Sequence, residues 1–170
     1  MSNSQEAGQK ILVVNCGSSS LKYEVYEMPQ RNSLGKGLVD RIGIHDGSIE
    51  HDGLNGKFER KEDVPDHKRA MALVLEALTD EHNGILGSLD EIAGVGHRVV
   101  HGGEKYAASV VIDDDVLKAI DEYIELAPLH NPANLTGIKE AMAVFPHQKH
   151  VAVFDTAFHQ TIPPAAYLYG

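Results

Sequence analysis

The chain has 170 residues, within the usual size of one domain, and its 42% hydrophobic content is enough for a packed core. A formal net charge of -10 and a pI near 5.4 argue against a nucleic-acid backbone or an anionic membrane surface as the main partner, since both need a basic face. No apolar stretch approaches the ~20 residues needed to span a bilayer, and residues 1–9 read as a disordered polar leader without the apolar core of a signal peptide. The cytoplasm is therefore the expected compartment. The single cysteine, Cys16, rules out an internal disulfide and a multi-cysteine zinc site.

Ile11 to Val14 is a short, mostly β-branched run that suits a buried strand. It stops at Asn15 and gives way to a turn of small and hydroxyl residues, Gly17 to Ser20, after which Leu21 to Glu27 alternates as a second strand. In that strand Tyr23, Val25 and Glu27 share one face while Lys22, Glu24 and Tyr26 share the other, so an antiparallel hairpin is expected. After a loop over 29–33, Lys36 to Ile42 reads as a third strand. Ser48 to His51 and Lys57 to Arg60 flank the Gly-rich turn Asp52 to Gly56, which marks a further hairpin.

The pattern then turns helical. Ala70, Met71, Val74, Leu75 and Leu78 recur at helical spacing between Asp66 and Thr79, with Asp66 as N-cap. Ser88 with Glu91 matches a capping box. Gly94 to Val100 reads as a buried strand leading to a turn at Gly102 and Gly103. A second helix is expected from Asp113 to Leu126, its aspartates at the positive end of the helix dipole. Asn131 and Pro132 read as N-cap and first position of a third helix reaching Val144, and His150 to Phe154 as the last strand, ending in Asp155. Strands first, then helices alternating with strands, predict an α/β mixed sheet covered by helices.

Four stretches carry chemistry. The turn at Gly17 to Ser20 can direct backbone N–H groups, hydroxyls and the Lys22 ammonium at one anion, as phosphate-binding concavities do; an ordinary serine-rich hairpin is the plain alternative. Arg98 stands near a strand end and can grip a carboxylate with two parallel hydrogen bonds, or simply pair with a surface acid. His130 precedes a helix N-terminus, suited to developing negative charge or to a structural role. Asp155 emerges from the end of an apolar strand, where it can border a ligand crevice or merely form a turn.

The segments Asn15 to Lys22, His97 to Gly103, Ala127 to Pro132 and Val153 to His159 together resemble the acetate kinase family, within the acetate and sugar kinase, heat-shock ATPase and actin superfamily. The likeness runs from Lys10 to the end of the chain, in the family's order. It implies a ribonuclease-H-like first domain over 10–170, with antiparallel N-terminal strands followed by alternating helices and strands, and a second, nucleotide-binding domain beyond it. It implies Mg²⁺-dependent, reversible phosphoryl transfer from ATP to acetate, in a homodimer. By similarity Asn15 belongs to the Mg²⁺ site, while Ser18, Ser20 and Lys22 face the nucleotide phosphates. Arg98 would hold the acetate carboxylate, and Val100 and Leu129 would line its methyl pocket. His130 would stand near the transferring phosphoryl, and Asp155 would be the essential acidic residue.

Propionate or butyrate are open alternatives to acetate, because one methylene shifts discrimination by only ~1–3 kcal/mol. A non-catalytic phosphate- or carboxylate-binding module, or a Cys16/His hydrolase, are the readings from other classes. Residues 162–170 read as the approach to further structure, so the 170 residues alone are expected to fold but not to turn over.

Overall fold

The computed structural model describes residues 8–101, 106, 108–125, 128 and 130–155. Eight strands form one mixed sheet: β1 (Gln9–Cys16), β2 (Ser20–Met28), β3 (Asn32–Asp40), β4 (Ser48–Gly53), β5 (Gly56–Lys61), β6 (Ile92–Val99), β7 (Val110–Val111) and β8 (Lys149–Phe154). Their order is β5-β4-β3-β2-β1-β6-β8-β7. The five N-terminal strands run antiparallel to their neighbours, β6 adds parallel to β1, and β8 adds parallel to β6. This is the ribonuclease-H-like mixed sheet that the sequence resemblance implies.

Among the described residues three α-helices cover it: α1 (His67–Leu78), α2 (Asp114–Glu122) and α3 (Asn131–Val144). Asp66 caps α1, accepting a hydrogen bond from the Arg69 N–H, and Asp113 caps α2 through Val116 N–H. Each such cap is worth about 1 kcal/mol. Ser88 and Glu91 form the expected capping box around a short 3-10 turn at Leu89–Glu91. No described helix is long and apolar enough to cross a membrane.

Strand alternation fixes which face is buried. Leu12, Val14 and Cys16 of β1, Leu21, Tyr23 and Val25 of β2, and Val39 and Ile49 pack under α1 residues such as Met71, Leu73 and Leu78. A second cluster joins Val99, Ala152 and Phe154 to Val116 and Ile120 of α2 and to Leu135 and Ile138 of α3. The opposite face carries Val13, Asn15, Lys22, Arg98 and Val153, all of them exposed or half-buried.

Several boundaries differ from the sequence expectation. β1 begins at Gln9, which pairs with Met28, one residue inside the stretch read as leader. β3 starts at Asn32, because the β2–β3 turn closes over 29–31, and ends at Asp40, because Arg41 takes a left-handed φ of 61°. The strand therefore does not reach Ile42. β7, paired antiparallel with β8, is too short for a readable period. The N-cap of α3 is His130 rather than Asn131. Asn131 is helical and fully buried, and its side chain donates to the carbonyls of His101 and Ile120 instead of capping.

Two buried histidines lock β6 to β8. His150 Nε2 lies 3.0 Å from the Phe145 carbonyl, which can only accept, so Nε2 carries the proton and Nδ1 receives the His97 Nε2–H at 3.0 Å. Burial, reinforced by the neighbouring His150, pushes the His97 pKa down to about 3. Unfolded histidine titrates near 6.5, so between pH 6.5 and 3 the unfolded chain takes up a proton that the folded chain does not. The contribution is complete above pH 6.5 and is lost as pH falls. Urea unfolding is expected to show about 2 kcal/mol less stability at pH 5 than at pH 7 from this group, with the loss reduced in His97→Gln. A flat profile between pH 7 and 5 would contradict a buried, neutral His97.

Candidate functional site

Parallel pairing brings the C-terminal ends of β1, β6 and β8 side by side, and each carries one polar residue. Asn15, on the open face, and Arg98 each lie one residue before the end of their strands, β1 and β6, and Asp155 follows β8 directly. The Arg98 guanidinium places Nη2 at 2.7 Å from Asp155 Oδ2 and Nε at 3.1 Å from both carboxylate oxygens. Its Nη1 reaches Asn15 Oδ1 at 3.4 Å. Hydrogen bonding to Asp155 raises the Arg98 pKa further above its ordinary value.

This pair is about half exposed, with side-chain accessibilities of 51% and 38%. An exposed ion pair contributes only ~0.2–1 kcal/mol, so its importance is geometric. Asp155 occupies the Nε/Nη2 edge of the guanidinium and fixes its plane. Both Nη groups keep further N–H donors for a second planar anion.

The turn between β1 and β2 borders the same strand ends. Four of its carbonyls are drawn into the protein: Cys16 O accepts from Asn134 Nδ2 at 2.6 Å, Gly17 O from His67 Nε2 at 2.8 Å, Ser19 O from Ile42 N–H at 2.9 Å and Ser20 O from Gly17 N–H at 2.7 Å. Among the described residues the N–H groups of Ser18 and Ser19, and the hydroxyls of Ser18 and Ser20, have no acceptor. A turn whose carbonyls are consumed and whose donors are left over favours an anion. Lys22 is the cross-strand partner of Asn15 and exposed on the same face, so an ammonium is within the same region.

A concavity of about 610 Å³ lies over β2 to β5 and includes Lys22, Lys36 and Lys57. Glu24, Glu50, Asp52 and Glu59 also line it, so acids outnumber the lysines there and a phosphate is disfavoured. The strand-end cluster, not this concavity, has the chemistry for an anionic ligand.

The remaining site candidates are placed as follows. Val100 is half-buried and its N–H donates to Asn134 Oδ1 at 3.1 Å. His130 is exposed at the N-terminus of α3, where its carbonyl accepts from Asn134 N–H and its side chain makes no capping bond. Leu129 and the Gly102–Gly103 turn lie outside the described residues, as do residues 156–170. Cys16 is buried, and burial pushes its thiol up to about 12, so almost no thiolate forms at neutral pH and a cysteine nucleophile is disfavoured.

Two oxygen donors suited to a hard cation, Asn15 Oδ1 and the Asp155 carboxylate, stand on either side of β6, and both reach the Arg98 guanidinium between them. No cluster of three or more His, Cys, Asp or Glu occurs among the described residues. That donor set fits Mg²⁺, which is commonly held through one or two protein oxygens together with substrate phosphates and water.

Sequence reasoning missed Asn134 and His67, which reach the turn from α3 and α1. The available signal was a polar residue on the α3 face that also carries Asn131 and Gly137. A Cβ on Gly137 would lie 2.5 Å from Cys16 Cβ, so the helix backbone rests on the end of β1.

A model of the acetokinase family matches residues 10–170. The chain is 57% identical over 161 residues to acetate kinase of Clostridium botulinum (strain Loch Maree / Type A3), covering 94% of this chain and 40% of that protein. Among solved structures, acetate kinase of Porphyromonas gingivalis superposes with a TM-score of 0.87 at 44% identity, over 92% of this chain and 40% of that one. A propionate kinase from Francisella tularensis superposes with a TM-score of 0.83 at 38% identity, over 92% and 39%. The chain thus spans about 40% of the length of the relatives it matches, and over that span it belongs to the acetokinase family.

Proposed function

We propose that residues 10–170 form the carboxylate-binding and phosphate-facing side of an acetate kinase, which transfers the γ-phosphoryl group of ATP reversibly to acetate, giving acetyl phosphate and ADP. The observation that carries this reading is the Arg98 guanidinium, held on one edge by Asp155 beside a turn whose Ser18 and Ser19 N–H groups meet no acceptor among the described residues.

Acetate is already ionised at neutral pH, so its oxygen needs no base before it attacks phosphorus. The obstacle is bringing two anions together in line, which cations and fixed donors relieve. Arg98 holds the carboxylate, while Ser18, Ser20 and Lys22 hold the phosphates. His130, at the positive end of the α3 dipole, stands toward the transferring group. Val100 and Leu129 line the space for the methyl group. Asn15 and Asp155 are the residues that would hold Mg²⁺, which when bound neutralises charge on the phosphate oxygens. Asp155 also orients Arg98, and it is not called on as a proton acceptor, because the acetate oxygen is already ionised.

The family resemblance also supports a homodimer working in the cytoplasm. Propionate is the second reading, favoured by the likeness to a propionate kinase and by the small cost of one methylene, ~1–3 kcal/mol.

The test uses a full-length family member whose residues 10–170 are those of this chain, with transfer followed as acyl hydroxamate. Arg98→Ala removes a charge-assisted contact worth ~1.5–3 kcal/mol and is expected to raise the acetate KM by ~10–100-fold while leaving the ATP KM within about threefold. An unchanged acetate KM and kcat would remove Arg98 from the site. Asp155→Asn keeps the volume but frees the guanidinium plane, and a kcat loss on the order of 10²-fold is expected. Retention of full kcat would sink the orienting role. Lys22→Ala is expected to act on the other substrate, raising the ATP KM with acetate little changed. The opposite pattern would move Lys22 out of the phosphate region.

A further inference from the structure

We propose that Asn134 is a positioning residue that holds the phosphate turn and the carboxylate-binding strand at a fixed spacing; this rests on the function proposed above. Asn134 lies in the first turn of α3 and is only 4% exposed. One side-chain amide joins two strand ends. Its Nδ2–H donates to the Cys16 carbonyl at 2.6 Å, at the last residue of β1, and its Oδ1 accepts the Val100 N–H at 3.1 Å, just beyond β6.

The β1–β6 register that aligns these strands runs out at Val14 and His97. Beyond that point β1 and β6 do not pair with each other, and Asn15 and Arg98, paired to β2 and β8 on their outer sides, face that unpaired stretch. The Asn134 amide takes over there, using its donor on one strand and its acceptor on the other. A leucine or an alanine can do neither, and an aspartate can do only one. Two neighbours on the same helix face keep α3 in place. Asn131 donates to the carbonyls of His101 and Ile120, and Gly137 lets the helix backbone rest on Cys16. Asn134 therefore cannot slide along the sheet without breaking these contacts.

The consequence reaches both strands. Releasing the Cys16 carbonyl lets it turn toward the anion side of the turn, opposing Ser18 and Ser19 N–H. Releasing the Val100 N–H loosens the segment after Arg98. Loss of Asn134 should therefore weaken both the phosphate-facing and the carboxylate-binding halves, although its side chain touches neither ligand.

The experiment compares the 170-residue chain with its Asn134→Leu and Asn134→Asp variants by amide hydrogen exchange and by titration with pyrophosphate and with acetate. Asn134→Leu is expected to exchange the Val100 amide at least ~10-fold faster and to bind both anions at least ~10-fold more weakly, converting to over 1.4 kcal/mol each. Asn134→Asp keeps an acceptor for Val100 N–H but sets a carboxylate oxygen against the Cys16 carbonyl. Its Val100 amide should stay protected as in the parent while pyrophosphate binding falls. A folded Asn134→Leu chain with unchanged Val100 exchange would overturn the proposal, and so would Asn134→Asp exchanging Val100 as fast as Asn134→Leu. Should Asn134→Leu fail to fold, the isosteric aspartate variant decides the matter by its split between Val100 protection and pyrophosphate affinity. A parent chain that binds neither anion would count against the functional reading, while Val100 exchange would still decide whether Asn134 acts as the clamp.

Discussion

Parallel pairing of β1, β6 and β8 is the constraint on which the site depends. Antiparallel neighbours would send successive strand ends to opposite edges of the sheet, whereas parallel ones bring all three C-termini to the same edge. Asn15, Arg98 and Asp155 are 83 and 57 residues apart in sequence, yet their side chains meet there. The helices pay no part of that geometry directly on the open face; they pack on the other face and fix the sheet from behind. Crevices outside the carboxyl ends of parallel strands are where α/β sheets commonly bind ligands, and here the polar residues are concentrated at such an edge.

The turn after β1 shows how backbone is recruited for binding. A peptide offers a donor and an acceptor, and an anion site needs the acceptors out of the way. Asn134, His67, Ile42 and Gly17 each supply a donor to one turn carbonyl. Those donors come from α3, α1, the segment after β3 and the turn itself, so the anion-facing surface is a product of the whole fold. The left-handed Arg41 contributes here too: by ending β3 at Asp40 it leaves the Ile42 N–H free to reach Ser19.

Local signals were legible in the sequence. Alternation in Leu21 to Glu27 gave the correct faces of β2, and the caps at Asp66 and Ser88 formed as read, because each depends on residues within one turn. The cluster of Asn15, Arg98 and Asp155 was reachable only through the family resemblance, since no local pattern says that three strand ends will meet. What escaped is long-range. The serial bonds from His97 through His150 to Phe145, the burial of Asn131, and the reach of Asn134 to Cys16 all join residues whose partners are chosen by tertiary packing. Asn131 illustrates the limit well: an asparagine before a proline reads as a cap, but the available carbonyls of His101 and Ile120 draw it inward and leave His130 in the cap position.

The most direct test of the central claim follows the Arg98 guanidinium itself during an acetate titration, by ¹⁵N-detected NMR of its Nε and Nη groups. An arginine pre-oriented by Asp155 should show saturable shifts at the Nη groups while the Nε–H signal, engaged by Asp155, stays slowed in exchange throughout. Saturable acetate binding that leaves the Arg98 Nη signals unmoved would contradict the account.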